Sequence, residues 1–338
     1  MRDQAVGGAT ETLILSSGDI AGLMDQAAWL EAAETAFGAA AAGAAWSPPP
    51  MHIEADGGAF HAKGAALRLD RLYVAVKLNG NFPANPAARG LPTIQGAILL
   101  SDGSDGSLLA ILDSIEVTIR RTAAATALAA RYLARADSST LLVCGCGEQG
   151  RAQLEALAAA LPLTRALAWD IDGARARAFA GEMELRLGIE TTAAADLPAA
   201  ARISDAIVAC TPSISPYLGR TMVAPGAFVA AVGADSPAKS ELCADLFEGT
   251  RVVADVLGQC ETMGDLRHAI AAGAIARDQV HAELAELVGG TKLGRRSADE
   301  ITVFDSTGTA LQDVAAAALI YRRSLGRALL PTVALGSR

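Results

Sequence analysis

The segment Leu141-Leu142-Val143-Cys144-Gly145-Cys146-Gly147-Glu148-Gln149-Gly150 is an apolar run that passes directly into G-x-G-x-x-G. That spacing suits a strand, a tight turn and a helix start that together cradle a pyrophosphate. Gly145 permits the turn, Gly147 lets backbone N–H groups approach the phosphates, and Gly150 lets the helix pack closely on the strand. The helix N-terminus, with Glu148 and Gln149 in its first turn, adds free donors and the positive end of a dipole. Asp170 closes the next apolar run, 20 residues after Gly150. A carboxylate there accepts hydrogen bonds from both ribose hydroxyls and repels a 2′-phosphate, so NAD (NADH) is the expected cofactor rather than NADP. Cys144 and Cys146 lie inside this loop, where small packing residues are a better reading than a redox pair.

Other side chains invite chemistry. Lys77 interrupts the run Tyr73-Val74-Ala75-Val76-Lys77-Leu78, which otherwise reads apolar. If buried, its ammonium needs a partner or a lowered pKa; the alternative is a surface lysine on an edge strand. Arg120 and Arg121 are adjacent on a helix and so point about 100° apart around its axis. One of them can hold a carboxylate bidentately, the other cannot reach the same point. Asp235 follows the apolar run Ala227 to Val232, at the carboxyl edge where open α/β sheets bind ligands. It reads as an acid/base or as a turn-forming aspartate before Ser-Pro. Thr211-Pro212-Ser213 follows another apolar run and is expected to border the cofactor.

The elements that must position these groups fall into two patterns. Strands are expected at 140–144, 165–169, 205–209, 227–232, 251–254 and 301–304, with helices at about 148–160 and 172–186. Strand and helix in alternation predict a parallel sheet with covering helices. Before it, Thr12–Leu15 reads as a strand, and one long helix is expected from Ser16-Ser17-Gly18-Asp19 to Gly43. Pro48-Pro49-Pro50 breaks regular structure. Strand-like runs with Gly- and Asp-rich turns follow to residue 113, and Ser114 is expected to cap a helix reaching Arg135. Gly308 to Arg327 reads as one more amphipathic helix beyond the last strand, returning to the first domain. The expected fold class is therefore α/β, a Rossmann-type parallel-sheet dinucleotide-binding domain at 128–308. A split α+β substrate and dimerisation domain, at 1–127 with 309–338, accompanies it.

The 338 residues are 51% hydrophobic and 19% charged, ample for a sizeable core. Lys+Arg number 28 against 37 Asp+Glu, for a net charge of −9, and basic residues come only in pairs. A nucleic-acid partner, which needs a basic face, is not expected. Met1 to Gly8 lacks the apolar block of a signal peptide, and no apolar run is long enough to span a membrane. The five cysteines and four histidines are scattered, without metal-ligand spacing. A cytoplasmic protein without a structural metal or membrane partner is the expectation.

The motifs taken together resemble those of the ornithine cyclodeaminase/μ-crystallin family. They are Val76-Lys77-Leu78-Asn79-Gly80-Asn81, Gly90-Leu91-Pro92-Thr93-Ile94-Gln95-Gly96, Arg121-Thr122-Ala123-Ala124 and the glycine loop. Gly233-Ala234-Asp235-Ser236-Pro237-Ala238-Lys239-Ser240-Glu241-Leu242 and Thr302-Val303-Phe304-Asp305-Ser306-Thr307-Gly308 complete them. The resemblance implies a homodimer and hydride exchange between a nicotinamide and a carbon bearing nitrogen, on a small amino acid, amine or imine. It selects Arg121 over Arg120 and implies that Lys77 and Arg121 hold the substrate carboxylate. Lys77 can also serve in proton transfer, and Asp235 is the catalytic acid/base. Asn79, Thr93 and Gln95 match positions near the substrate, and Thr122 and Thr211 positions near the cofactor.

Two departures from the family pattern matter. Pro50-Met51 stands where a second carboxylate-binding arginine is usual, and His61 stands where cyclodeaminases carry a substrate-recognising glutamate. His61 and Lys63 alternate onto one strand face, either as a new polar wall of the pocket or toward solvent. Imine reduction or amine oxidation is accordingly preferred to ornithine- or lysine-type cyclodeamination. A crystallin-like binder of dinucleotide without turnover is the remaining alternative.

Overall fold

The computed structural model describes residues 11–327 and 330–335. Met1 to Gly8, read above for a leader, lies outside the described residues. In chain order the elements are β1 (Glu11–Leu15), α1 (Ser17–Leu23), α2 (Gln26–Ala41), β2 (Ala45–Trp46), β3 (Met51–Ala55), β4 (Gly58–Arg68) and β5 (Leu72–Asn81). Next come α3 (Asn85–Arg89), β6 (Ile94–Asp102), β7 (Leu108–Asp113), α4 (Ser114–Leu133), β8 (Thr140–Cys144), α5 (Glu148–Ala160), β9 (Arg165–Trp169) and α6 (Gly173–Leu187). They are followed by β10 (Glu190–Ala193), α7 (Leu197–Arg202), β11 (Ala206–Ala209), β12 (Phe228–Ala231), β13 (Arg251–Ala254), α8 (Leu257–Met263) and α9 (Asp265–Ala271). The chain ends with β14 (Ala282–Glu283), α10 (Leu284–Val288), β15 (Thr302–Asp305), α11 (Ala310–Ser324) and β16 (Thr332–Ala334). Two compact units result: residues up to Arg121 with those from Ala310 onward, and Thr122–Thr309. The division falls inside α4.

In the first unit the strand order is β16-β1-β7-β6-β5-β4-β2, with β3 also on β4. The β1–β7 pair is parallel and the others are antiparallel. Side chains alternate along β5: Tyr73, Ala75 and Lys77 are buried, whereas Val76 and Leu78 are exposed. The buried face is covered by α11, which also packs on α2. Both helices are alanine-rich, which brings helix axes close to each other and to the sheet. From Ala310 to Ile320 every residue of α11 is buried, so the expected amphipathic helix is instead covered on all sides over this span, with Gln312 and Asp313 as its buried polar members. The expected helix to Gly43 is also corrected, since it divides in two. Ser16 and Asp19 form a capping box for α1, Met24 is extended, and Asp25 accepts from the Ala28 N–H to start α2.

In the second unit all eight strands are parallel, in the order β10-β9-β8-β11-β12-β15-β13-β14. β11, β12 and β15 are buried at every residue, as a doubly covered parallel sheet requires. Leu142, Ile207, Val229, Val252, Val303 and Phe247 belong to its core. The α/β reading therefore holds, and the inner strands lie within a residue of their expected positions. The edge strands β10 and β14 were not anticipated, because one is mostly exposed and the other has two residues.

Candidate active site

Lys77 is 5% exposed, and its Nζ lies 2.7 Å from Asp313 Oδ2. Arg121 Nε lies 3.2 Å from the other oxygen of the same carboxylate, and Arg121 Nη1 donates to Gln312 Oε1 at 2.6 Å. Lys77 Nζ also donates to Thr118 Oγ1 at 3.3 Å, and Ser114 Oγ donates to Asn79 Oδ1 at 2.6 Å. Ser114, Thr118 and Arg121 are spaced one helical turn apart, so one face of α4 serves the whole cluster. Ser114 was expected as the helix cap. Instead Asp113 Oδ1 accepts from the N–H groups of Ile115 and Glu116, which leaves the Ser114 hydroxyl for Asn79. Arg120 turns away and pairs with Glu116 at 2.9 Å.

Burial pushes the Lys77 ammonium down to about 8, against the opposing pull of Asp313. Burial alone would raise Asp313, but Lys77 and Arg121 hold its carboxyl below the usual value. Two cations on one anion leave one positive charge, so the cluster can neutralise one further carboxylate. Sequence reasoning missed Thr118, Gln312 and Asp313. A lone acid among Ala310 to Ile320 was the available signal.

Strand register sets the neighbours of Lys77. Lys63 stands directly opposite it on β4, and His61 stands opposite Asn79, all on one face. His61 and Lys63 are neither fully buried nor fully exposed. His52 faces His61 from β3, with Nδ1 atoms 3.2 Å apart, and its Nε2 lies 2.7 Å from Glu54. Thr93 precedes β6 and its carbonyl accepts from the Phe82 N–H. Gln95 pairs with Gly80 and so stands on the opposite face, with Val76 and Leu78. The structure does not bring it to Lys77.

In the second unit the glycine loop fits a dinucleotide. Gly145 has φ +104°, and a Cβ there would meet the Cys210 carbonyl at 2.8 Å. At Gly150 a Cβ would meet the Gly145 carbonyl at 2.1 Å, so helix and strand touch there. Gly147 caps α5 without a side-chain cap, and a Cβ on it would meet nothing within 4 Å. That open space beside the N-terminus of α5 has the chemistry a phosphate requires. Glu148 is exposed and Gln149 half-buried in the first turn. Asp170 is oriented by the N–H groups of Cys146 and Asp172, each at 3.0 Å, with Arg175 at 3.9 Å. Burial pushes the Cys146 thiol up to about 12 and raises Cys144 well above the ordinary thiol value, so both remain thiols.

Beyond β11, Thr211 donates to Glu241 Oε1 through its N–H at 2.6 Å and its hydroxyl at 2.7 Å. Tyr217 donates to the same oxygen at 2.8 Å, and the Gly233 N–H reaches Oε2 at 2.8 Å. Glu241, quoted above only as part of a motif, thus ties the loop after β11 to the loop after β12. Burial pushes its carboxyl up to about 7, opposed by the Thr211 hydrogen bonds. Asp235 follows on the second loop. Its side chain is 56% exposed and pairs with Lys239 at 2.6 Å. Thr122, on α4, is buried, and its carbonyl accepts from Thr126. Asp305 accepts from the Leu266 N–H, while Asp255 accepts from Ser306 and Gly308, closing the fold around the end of β15. Among the described residues no group of three metal-ligating side chains occurs, and no helix is long and apolar enough to cross a membrane.

Comparison with known proteins agrees with this arrangement. An archaeal alanine dehydrogenase, described as a dimer with bound NAD, matches with a TM-score of 0.90 and 36% identity, covering 96% of this chain and 99% of that one. The Δ1-pyrroline-2-carboxylate reductase of Thermococcus litoralis, solved with NADH and L-proline, matches at 0.91 and 32% identity, covering 95% and 100%. The iminosuccinate reductase of Paracoccus denitrificans, solved with NAD+, matches at 0.88 and 30%, covering 96% and 100%. The sequence profile of the ornithine cyclodeaminase/mu-crystallin family matches residues 10–328, and the chain belongs to that family.

Proposed function

We propose that this chain is an NAD-dependent oxidoreductase acting where carbon bears nitrogen, reducing an imine or oxidising an amino acid or amine. The observation that carries the reading is the buried Lys77–Asp313–Arg121 cluster, whose single surplus charge suits a substrate carboxylate. The related enzymes named above act on small amino or imino acids of this kind. Gly145, Gly147, Glu148, Gln149, Gly150 and Asp170 would hold the dinucleotide, with Thr211 and Thr122 assigned to it as well. When bound, NAD supplies the acceptor, or NADH the donor, of a hydride at the carbon next to nitrogen.

The protein's own groups do the rest. Lys77 and Arg121 fix the carboxylate, and with it the adjacent carbon, so that the reacting geometry is set before chemistry. Asp235 is assigned the proton that leaves nitrogen on oxidation and returns on reduction. Asn79 and Thr93 are assigned to substrate orientation. The test follows NADH absorbance with amino acids, cyclic imines, and 2-oxo acids plus ammonia. Turnover that Asp235→Asn lowers by about two orders of magnitude or more supports the reading. Tight NADH binding with no turnover of any compound overturns it in favour of a binding protein.

The homodimer is part of the proposal. Val76, Leu78 and Leu99 form an apolar strip on the face of the first sheet away from α11, each about 44–45% exposed. Ile14 and Ile53 extend it. A second copy of this face is the occupant that two-fold symmetry pairs with it. Leu78→Glu is expected to give monomers in sedimentation; an unchanged dimer would place the interface elsewhere.

A further inference from the structure

We infer that Glu241 is a positioning residue: its ionised carboxylate holds the segments after β9, β11 and β12 in place for the dinucleotide, so that cofactor affinity follows its charge. This rests on the cofactor assignments of the oxidoreductase reading, Asp170 and Thr211 among them, and names a regulation of that site. Thr211 donates to Oε1 through its N–H and its hydroxyl, and Tyr217 donates to the same oxygen. The Gly233 N–H donates to Oε2, and the Gly233 carbonyl in turn accepts from the Asp235 N–H at 3.1 Å. A Cβ on Gly233 would meet Oε2 at 2.4 Å and the Thr211 carbonyl at 2.3 Å, so the acid and both loops are packed without slack. The Tyr217 ring lies against that of Trp169, with centroids 5.3 Å apart. Trp169 ends β9 immediately before Asp170, and its carbonyl accepts from the Gly145 N–H at 2.9 Å. One side chain thereby connects the rim segments on both sides of the glycine loop.

The charge matters because of what faces it. The Thr211 and Gly233 N–H groups can only donate. A proton on Oε2 would face the Gly233 N–H, and a proton on Oε1 would oblige the Thr211 or Tyr217 hydroxyl to turn from donor to acceptor. Either change replaces a charge-assisted bond between the loops by a weaker one. The other titratable groups around Glu241 are Cys144 on β8, Cys210 just past β11, Tyr217 and, on α9, Asp265. Burial keeps both thiols and the phenol protonated. Asp265 accepts from the Glu241 N–H at 2.8 Å, which anchors the backbone of the acid, and its charge opposes ionisation. Burial is the main force that lifts Glu241 to about 7, so the tie between the loops is made and unmade across neutral pH.

The experiment measures NADH affinity by fluorescence from about pH 6 to about pH 8 in the parent chain, Glu241→Gln and Tyr217→Phe. With the ionised form as the binding-competent one, the parent Kd is expected to weaken by about tenfold from the upper to the lower end of that range. Glu241→Gln cannot ionise, so it should bind more weakly at the upper end and lose the pH dependence. Tyr217→Phe removes a donor to the carboxylate, which raises its pKa, so the midpoint should move to higher pH. A Glu241 that served packing alone would leave that midpoint where it is. A flat parent profile, a dependence that Glu241→Gln retains, or a midpoint that Tyr217→Phe leaves in place overturns the inference and leaves the oxidoreductase reading intact. The expected profile in a chain that turns over no compound supports the inference and removes the oxidoreductase reading. Absence of NADH binding across the range overturns both.

Discussion

The two sheets place chemistry in opposite ways. In the Thr122–Thr309 unit the inner strands are buried on both faces, so their side chains are spent on the core. Polar groups free of the core then stand in the loops at the carboxyl ends: the glycine loop after β8, Asp170 after β9, Thr211 after β11 and Asp235 after β12. In the other unit the sheet is mainly antiparallel, and its strands alternate between a face under α11 and a face left open. Here titratable side chains stand on the sheet itself, with Lys77 and Lys63 at facing positions. A parallel sheet works from its rim, and an alternating one from its surface. Each kind of site therefore has its own vulnerability.

The sheet-face site depends on mutual charge compensation, and Asp313→Ala tests this most severely. It would leave Lys77 and Arg121 buried against each other, at a cost of about 3–5 kcal/mol in urea unfolding. A loss under about 1 kcal/mol would mean that solvent already screens the cluster. The rim site depends on a buried acid, and Glu241→Gln is expected to come next in size. The folded-state carboxyl, at about 7, lies above its ordinary value of 4.5. Between those values the folded chain holds a proton that the unfolded chain has released, so stability falls as pH rises through this window and the full penalty persists above it. The shift corresponds to something on the order of 3 kcal/mol. Unfolding measured at about pH 5 and about pH 8 should show that slope in the parent chain and lose it in the variant. An identical slope in both would assign the titration to another group.

Smaller effects separate fold from function within the glycine loop. Gly147→Val has open space and an ordinary φ of −93°, so its melting temperature should match the parent. Its NADH affinity should fall by about tenfold or more, some 1.4 kcal/mol. Gly145→Val should instead lower the melting temperature, because the side chain strains a positive φ against Cys210. If both variants behave alike, the distinction between a packing glycine and a phosphate-facing glycine fails. The mildest test is pH itself. With Lys77 at about 8, the kcat/KM for a carboxylate substrate should decline above that pH as the ammonium loses its proton. Lys77→Arg should carry the decline out of range, since a guanidinium does not titrate there. A decline that Lys77→Arg leaves in place would locate it elsewhere.

The parallel-sheet unit was more legible in the sequence than its companion. Its strands are continuous apolar runs with turn residues between them, so β8, β9 and β13 could be bounded from composition alone. β10 escaped because an edge strand of Glu190-Thr191-Thr192-Ala193 carries no apolar run. In the first unit the helix expected to reach Gly43 conceals the Asp25 cap, because its alanines favour helix on both sides of the break. Asp313 was overlooked for a related reason. An acid in a helix reads as the polar face of an amphipathic element, and only packing from sheet and α2 makes it buried.

Local chemistry and chain order were enough to determine the glycine loop, its following aspartate, the alternation that makes a parallel sheet, and the unusual lysine in an apolar strand. Each depends on residues close together in sequence, where backbone geometry leaves few options. Tertiary structure alone decided that Lys77 and Arg121 share Asp313, that Lys63 faces Lys77, that Gln95 does not, and that Glu241 joins two loops. Those outcomes depend on strand register and on a helix arriving from far along the chain. A one-residue change of register would turn every one of those strand side chains to the other face, and no local pattern records which register wins.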